Sequence, residues 1–421
     1  MYQVSPPTAV LRGHRRLLSR GQSGTRVRRT VVLLGLTSLL TDISSEMVVT
    51  VLPLYLVYVG NFSPLAFGVI DGLYNGATAI VRLASGFIGD RWQRHKEVAA
   101  SGYGLSAICK LLLIAVGTSV SAIGAVVLAD RAGKGIRTAP RDAMISLSTP
   151  KEQLGTAFGV HRAMDTVGAM LGPLVAFAML AIAPLAFDSI FLVSFCFAML
   201  GLGILLLLVN GRDRAPGAVA PERPPSLRGA FALTRTPRYR ALLIAGGALS
   251  LATASDAFVF LALQEKLDLG TSLFPLLFVG SAGTYMALAV PMGRLSDRIG
   301  RGRVFLAGYG LLLAVYLLLL APMAGWLTLA LVLGLLGSYY AATDGVLMAL
   351  ASVSLPQDQR ATGMALLTTV TSIARLTASL VFGWLWTWQG VTVAIVTFSC
   401  ALAAAIIVTW FALTQSPDVR P

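Results

Sequence analysis

Residues 86–105 read GFIGDRWQRHKEVAASGYGL, and residues 293–311 read GRLSDRIGRGRVFLAGYGL. With one gap, Gly86, Asp90, Arg91, Arg94 and the run Gly102–Leu105 fall on Gly293, Asp297, Arg298, Arg301 and Gly308–Leu311. Each copy lies between the second and third apolar stretch of its half, and Tyr309 follows Tyr103 by 206 residues in a chain of 421. A repeat of that length in a chain of this size predicts two equivalent units of six spans each.

The composition on either side of the repeats fits that reading. The chain is 56% hydrophobic and 12% charged, against about a quarter charged in soluble domains. Apolar stretches long enough to cross hydrocarbon, about 20 residues each, recur throughout. Twelve spans are expected at 30–59, 64–89, 97–117, 121–146, 153–181, 187–209, 240–264, 272–294, 303–321, 325–354, 360–386 and 391–413. A spanning backbone must satisfy its own hydrogen bonds, so these are helices. A basic tail (1–29), a six-helix bundle (30–209), a linker (210–239), a second bundle (240–413) and a short tail (414–421) follow. The linker contains GRDRAPGAVAPERPPSLRGAFALTRTPR (211–238), polar and proline-rich.

The net charge of +14 is concentrated. Residues 1–29 hold seven Arg and no acid, and 210–240 hold seven Arg against Asp213 and Glu222. Both flank apolar stretches, so retention in the cytoplasm and contact with anionic lipid account for them better than nucleic acid does. Loops near 60–63, 117–120, 322–325 and 387–390 contain neither Lys nor Arg. The alternate loops carry Arg91, Arg94 and Lys96, then Arg137, Arg141 and Lys151, then Arg298, Arg301 and Arg303. Lys and Arg stay inside, which puts both ends of the chain in the cytoplasm. Cys109, Cys196 and Cys400 fall within apolar stretches and are too few for a disulfide framework. The apolar run after Thr30 is too long for a signal peptide.

The loop at 86–96 resembles the signature between helices two and three of the major facilitator superfamily. The resemblance implies a fold of two pseudo-symmetric six-helix bundles around a central cavity, lined by spans one, four, seven and ten. It also implies a cytoplasmic latch made by Gly86, Asp90, Arg91 and Arg94 and by their counterparts Asp297, Arg298 and Arg301. Gln93 stands where the family usually has Gly. The stretch GIRTAPRDA (135–143) offers Arg137, Arg141 and Asp142 for a second inner gate across from Asp90, or simply topogenic charge. In span five, GAMLGP resembles the motif of the antiporter branch, chiefly drug–proton exporters, through Gly168, Gly172 and Pro173. Gly at i and i+4 gives a flat face for close helix packing, so a purely structural contact is compatible with it. In span four, Arg131 and Gly135 of DRAGKGIR resemble the family's RxxQG element, whose Arg is associated with proton transfer; Lys134 replaces the usual Gln. Arg131, Lys134 and Arg137 are too polar for lipid and must face the cavity or a partner, and a purely structural ion pair with Asp130 or a span-one acid is the alternative.

Span one carries TDISSEM, with Asp42 and Glu46 one turn apart on a single face. Two carboxylates this close in a low dielectric cannot both ionise cheaply, which suits a proton carrier. Thr41, Ser44 and Ser45 make a sodium site an alternative, and neutralisation of Arg131 or Lys134 is the plainer one. Asp256 and Ser255 in ATASDAF match Glu46 and Ser45 by the repeat. Embedded ionisable groups are functional candidates by default because each is costly against lipid. Asp71, Arg82, Lys110, His161, Arg162, Asp165, Asp344 and Arg375 are such groups. A metal site needs more ligands than His161 and Asp165 supply, and no cofactor is expected. Tyr55, Tyr285, Tyr339, Tyr340, Trp384 and Trp386 line the path or anchor the interface.

The resulting expectation is a monomeric secondary transporter in the cell membrane, not an enzyme. No nucleophile–base constellation or GxxxxGK[ST] loop is present. Asp42, Glu46 and Arg131 would handle the coupling cation, a proton before sodium. Glu46, Arg162, Asp165, Asp256, Tyr340 and Arg375 would hold a small-molecule substrate. Export by antiport is the leading mode; symport of an organic anion and a transporter-like sensor are the alternatives.

Overall fold

The computed structural model describes residues 28–74, 94–150, 153–211, 234, 236–353, 355 and 360–414. Their regular structure is helical throughout. Span one is Arg29–Leu54, continued by a π-helical turn at Tyr55–Val59. Span two is described as Pro64–Tyr74, and its basic end, with Arg82, Gly86, Asp90 and Arg91, lies outside the described residues. His95–Ala115, Val120–Leu147, Leu154–Ile182 and Phe187–Leu208 form spans three to six. Span eight is Phe274–Ile299, span nine Arg301–Leu320 and span ten Trp326–Val353. Spans eleven and twelve run within Arg360–Thr414, turned at Gly390, where φ is 87°. Among the described residues, nine helices are long and apolar enough to cross a membrane.

Packing repeats between the halves. Span one lies against spans five and six, and span three against four and six. In the second half, span seven lies against eleven, and span nine against ten and twelve. The duplicated Gly-Tyr-Gly-Leu run explains part of this symmetry. A Cβ on Gly102 would come within 2.7 Å of the Gly133 carbonyl oxygen, and one on Gly308 within 2.7 Å of Thr343 Cγ2. Each first glycine therefore lets span three touch four, or nine touch ten, without a side chain between them. Each following tyrosine, Tyr103 or Tyr309, is buried at that crossing. The outside of the bundle is apolar and bare: Leu207 and Ile182 are 83% and 86% exposed. With lipid as solvent, that surface carries no penalty.

Span seven departs from the continuous helix expected over 240–264. It consists of Pro237–Leu251 and Asp256–Leu267, broken at Ala252–Ser255. Ser255 caps the second piece, its Oγ accepting from Phe258 N at 3.5 Å. Backbone groups freed by the break are held by Tyr316 from span nine. Its hydroxyl accepts from Ala254 N–H at 2.8 Å and donates to the Ala252 carbonyl at 3.4 Å. Irregular backbone at membrane depth persists only where protein satisfies it.

Gly300 ends span eight at φ 101°, a conformation that L side chains rarely adopt. It occupies the position of Gln93 in the first copy of the signature loop, which accounts for the glycine usual there.

Candidate functional site

The first half holds a string of charged and polar groups shared by spans one, three, four and five. Asp130 pairs with both Lys110 and Arg131 and accepts from Ser106 Oγ at 2.5 Å. The Arg131 guanidinium also lies over the Tyr74 ring, 4.0 Å from its centroid. Arg131 therefore takes its counter-ion from its own span, not from Asp42 or Glu46. Lys110 is a partner in that ion pair as well.

Lys134 follows one turn along span four, and among the described residues neither it nor Glu46 has a direct ion pair. Arg137 is buried, stacked 4.7 Å from the Tyr103 ring centroid, with Nη2 3.9 Å from Asp42 Oδ1. Arg141 donates to Asp142 Oδ1 at 2.9 Å and to Ser38 Oγ at 3.2 Å, and lies 3.9 Å from Asp165 Oδ2. Ser38 also hydrogen-bonds His161 Nε2 at 3.1 Å, and His161 Nδ1 lies 3.5 Å from Asp165 Oδ2. Among the described residues, the partners of Arg137 and Arg141 thus all belong to the first half. The gate partner expected for them, Asp90, lies outside the described residues.

The span-five glycines press on this string. A Cβ on Gly168 would meet the Leu39 carbonyl oxygen at 2.5 Å and Asp42 Cβ at 3.2 Å. One on Gly172 would meet Glu46 Cβ and the Ile43 carbonyl oxygen, each at 2.7 Å. Span five runs on through Pro173 to Ile182. Glycine is required at both positions because span one approaches at the turn that carries its two acids.

A cavity of about 150 Å³ lies between the halves. Its polar lining is Asp71 and Tyr74 from span two, Thr253, Ser255 and Asp256 from the break in span seven, Tyr340 from span ten, and Arg375 and Ser379 from span eleven. Tyr340 OH donates to Asp256 Oδ1 at 2.6 Å, and Ser379 Oγ donates to Asp71 Oδ2 at 2.6 Å. Among the described residues the Arg375 guanidinium, which lines the cavity, forms no ion pair. Of the substrate residues expected from sequence, Asp256, Tyr340 and Arg375 line this cavity, whereas Glu46, Arg162 and Asp165 do not. Asp71 carried no assigned role in the sequence, although an acid within an apolar stretch was a signal. Thr253, Ser379 and Tyr74 gave none.

The halves meet at the end whose loops lack Lys and Arg. Three hydrogen bonds cross between them among the described residues: Ser379 to Asp71, Leu65 N–H to Thr387 Oγ1 at 2.8 Å, and Gln264 Nε2 to Tyr58 OH at 3.2 Å. Spans two and eleven touch backbone to backbone, since a Cβ on Gly68 or Gly383 would lie 2.5 Å from the Ser379 or Pro64 carbonyl oxygen. Phe67 meets Phe258 edge to face at 4.8 Å, and Phe258 meets Phe382 and Trp386 at 4.8 and 5.8 Å. At the basic end, Asp297 pairs with Arg301 in its own loop at 3.0 Å, and exposed Arg94 lies 3.7 Å from Glu97. Arg298 is exposed.

An all-helical, two-half molecule with a polar cavity at its seam and an apolar exterior defines a multi-pass membrane transporter. A sequence profile of the Major Facilitator Superfamily matches residues 34–284 and, overlapping it, 242–421. The chain belongs to that superfamily. It is 33% identical over 380 residues to an uncharacterized MFS-type transporter of Methanocaldococcus jannaschii, covering 88% of this chain and 92% of that one. An uncharacterized protein of Mycobacterium tuberculosis is 35% identical over 154 residues, 37% of each chain. Among solved structures, a mutant of the peptide transporter POT shares the fold with a TM-score of 0.75 at 14% identity, over 92% of this chain and 94% of that one. The nucleoside transporter NupG does so with a TM-score of 0.70 at 15% identity, over 92% and 99%.

Proposed function

We propose that this transporter is a proton-coupled antiporter that expels a small organic molecule from the cell by alternating access. The observation that carries the reading is the seating of Gly168 and Gly172 directly on the turn of span one that bears Asp42 and Glu46. The motif resembling the antiporter branch and the candidate proton carriers thereby form one contact. A change in the charge of either acid alters how span one meets span five, and so how the first half sits as a body. Lys134, Arg131 and Arg137 supply the fixed positive charge against which a proton is exchanged. A proton is favoured over sodium because the buried Arg137 already sets a positive charge 3.9 Å from Asp42. Of the hydroxyls a sodium ion would need, two are hydrogen-bonded, whereas the buried Ser45 Oγ has no partner among the described residues. Thr41 Oγ1 donates to the Thr37 carbonyl at 2.7 Å, and Ser44 Oγ bonds Ser194 Oγ at 2.9 Å.

In this cycle the basic loops and both chain ends face the cytoplasm, as the distribution of Lys and Arg favours. The closed end then faces outward, and the inner latch at Asp90, Arg91 and Arg94, with Asp297, Arg298 and Arg301, engages in the opposite state. Substrate enters from inside and is held by Asp256, Tyr340 and Arg375, with Asp71 added to that set. A monomer in the cell membrane suffices for this cycle.

A second reading, import of an organic anion by symport, is favoured by the guanidinium of Arg375, which lines the cavity with no ion pair among the described residues. One experiment separates the two. Ligands found by thermal stabilisation of the purified protein are loaded into proteoliposomes with an imposed pH gradient. Antiport requires substrate to move against the proton, and symport requires the two to move together. Flux that ignores pH and follows sodium contradicts both the proton assignment and the role of Glu46.

A further inference from the structure

A second cavity lies on the other side of the aromatic contact between the halves. It measures about 430 Å³ and is walled by Tyr58, Phe62, Phe67, Phe258 and Trp386, with Gln264, Glu265 and Asp268 at its rim. Phe67 borders both this space and the central cavity, so the two are separated by the thickness of one ring. The size falls within the range of sites that enclose small organic molecules.

The walls are turned inward for a purpose other than anchoring in the membrane interface. Trp384 and Trp388 are 47% and 72% exposed on the outer surface of span eleven, as interfacial anchors are. Trp386, between them in sequence, instead packs on Phe258 and Phe382 and lines the vestibule. The rim is acidic without local compensation. Glu265 and Asp268 are exposed, and among the described residues neither has an ion pair. The neighbouring Lys266 is turned away, its ammonium donating to the Leu318 and Leu319 carbonyls at 2.9 Å and to that of Ala321. Among the described residues, no Lys or Arg borders the cavity. Aromatic faces and carboxylates that converge on one space, with no cation of their own, attract a positively charged organic body through cation–π and Coulomb terms together.

We propose that this vestibule is a ligand site distinct from the central cavity, and that it takes an organic cation with an apolar or aromatic body. The site goes beyond the coupling mechanism, because it requires neither a proton gradient nor movement of the halves. Its position beyond the closure makes it the last station of a molecule leaving by way of the central cavity.

The test uses the full-length protein in detergent, at equilibrium and without a gradient, so it stands apart from any failure of the antiport reading. Benzyltrimethylammonium is titrated by calorimetry, with benzenesulfonate as the anion of similar shape. Saturable binding of the cation and none of the anion is expected. The double variant Glu265→Gln/Asp268→Asn, whose side chains are solvent-exposed and outside the packed core, is expected to bind about tenfold more weakly. Trp386→Leu is expected to weaken binding by a similar factor, with Trp388→Leu unchanged as the control for a surface tryptophan. Equal binding of the two probes overturns the proposal, as does no binding of the cation. Cation binding that survives the vestibule variants and disappears in Asp256→Asn overturns it too, by assigning the ligand to the central cavity.

Discussion

The two halves share a packing scheme but spend their polar residues differently. In the first half, ionisable groups pair with one another: Arg141 with Asp142, Arg137 with Asp42, and Asp130 with both Lys110 and Arg131. In the second half, the polar groups near the seam are mostly tyrosines and isolated charges: Tyr309, Tyr339, Tyr340, Asp256, Asp344 and Arg375. Span one is continuous where Glu46 sits, whereas span seven is broken just before Asp256. Residues matched by the repeat therefore do different work. Glu46 sits inside its own half against Gly172, and Asp256 opens onto a space between halves. In the proposed cycle this becomes a division of labour, with the proton handled by the first half and the substrate presented by the second.

Substitutions that strike one half and spare the other can break this contrast. The largest effect is expected at Asp130. Asp130→Ala leaves Lys110 and Arg131 buried without their counter-ion, at a cost of about 3–5 kcal/mol, read as a fall in the unfolding temperature of the purified protein. Gly172→Ala comes next, because the new methyl would sit against Glu46 Cβ and the Ile43 carbonyl. Overpacking of that kind costs about 1–3 kcal/mol, and coupled flux should fall along with stability. Gly308→Ala, at the nine–ten crossing, sharpens the comparison: a similar loss of stability is expected there with coupling retained. Tyr316→Phe removes the acceptor of the Ala254 N–H, and a buried unsatisfied donor costs about 1–3 kcal/mol. Hydrogen exchange at the span-seven break should speed up in that variant. Smallest of all, Arg301→Ala removes a partly exposed i,i+4 pair and should change stability by less than about 0.5 kcal/mol.

Much of the architecture was readable because the bilayer imposes it. Apolar length marks a span, Lys and Arg mark one set of loops, and the GYGL copies mark a crossing that recurs. Asp42, Glu46, Asp256 and Arg375 stood out for the same reason, as groups too costly to face lipid. The break in span seven was not readable. Nothing in Ala252-Thr253-Ala254-Ser255 forbids a helix, and Ala favours one; the break depends on Tyr316, some sixty residues away in sequence. The closure between the halves was hidden likewise, since Phe67, Phe258, Phe382 and Trp386 come from three spans and form a cluster only after folding. Arg137 was legible as a group too polar for lipid that needs a partner such as a span-one acid, and it lies buried beside Asp42 and Tyr103; its reading as an inner-gate residue, like that of Arg141, rested on position near a basic loop. Its neighbours on spans one and three decide that placement, and a loop reading takes no account of them.

The central claim is that the charge of the span-one acids governs whether the seam at the non-basic end is open. It is tested most directly without any substrate, by electron–electron distance measurement between spin labels at Asn61 and Gly270 on opposite sides of that seam, with Cys196 and Cys400 replaced. Acidification should lengthen the distance in the otherwise native protein, and Glu46→Gln should hold one distribution at every pH. A Glu46→Gln protein whose distances still follow pH as the native ones do would contradict the account.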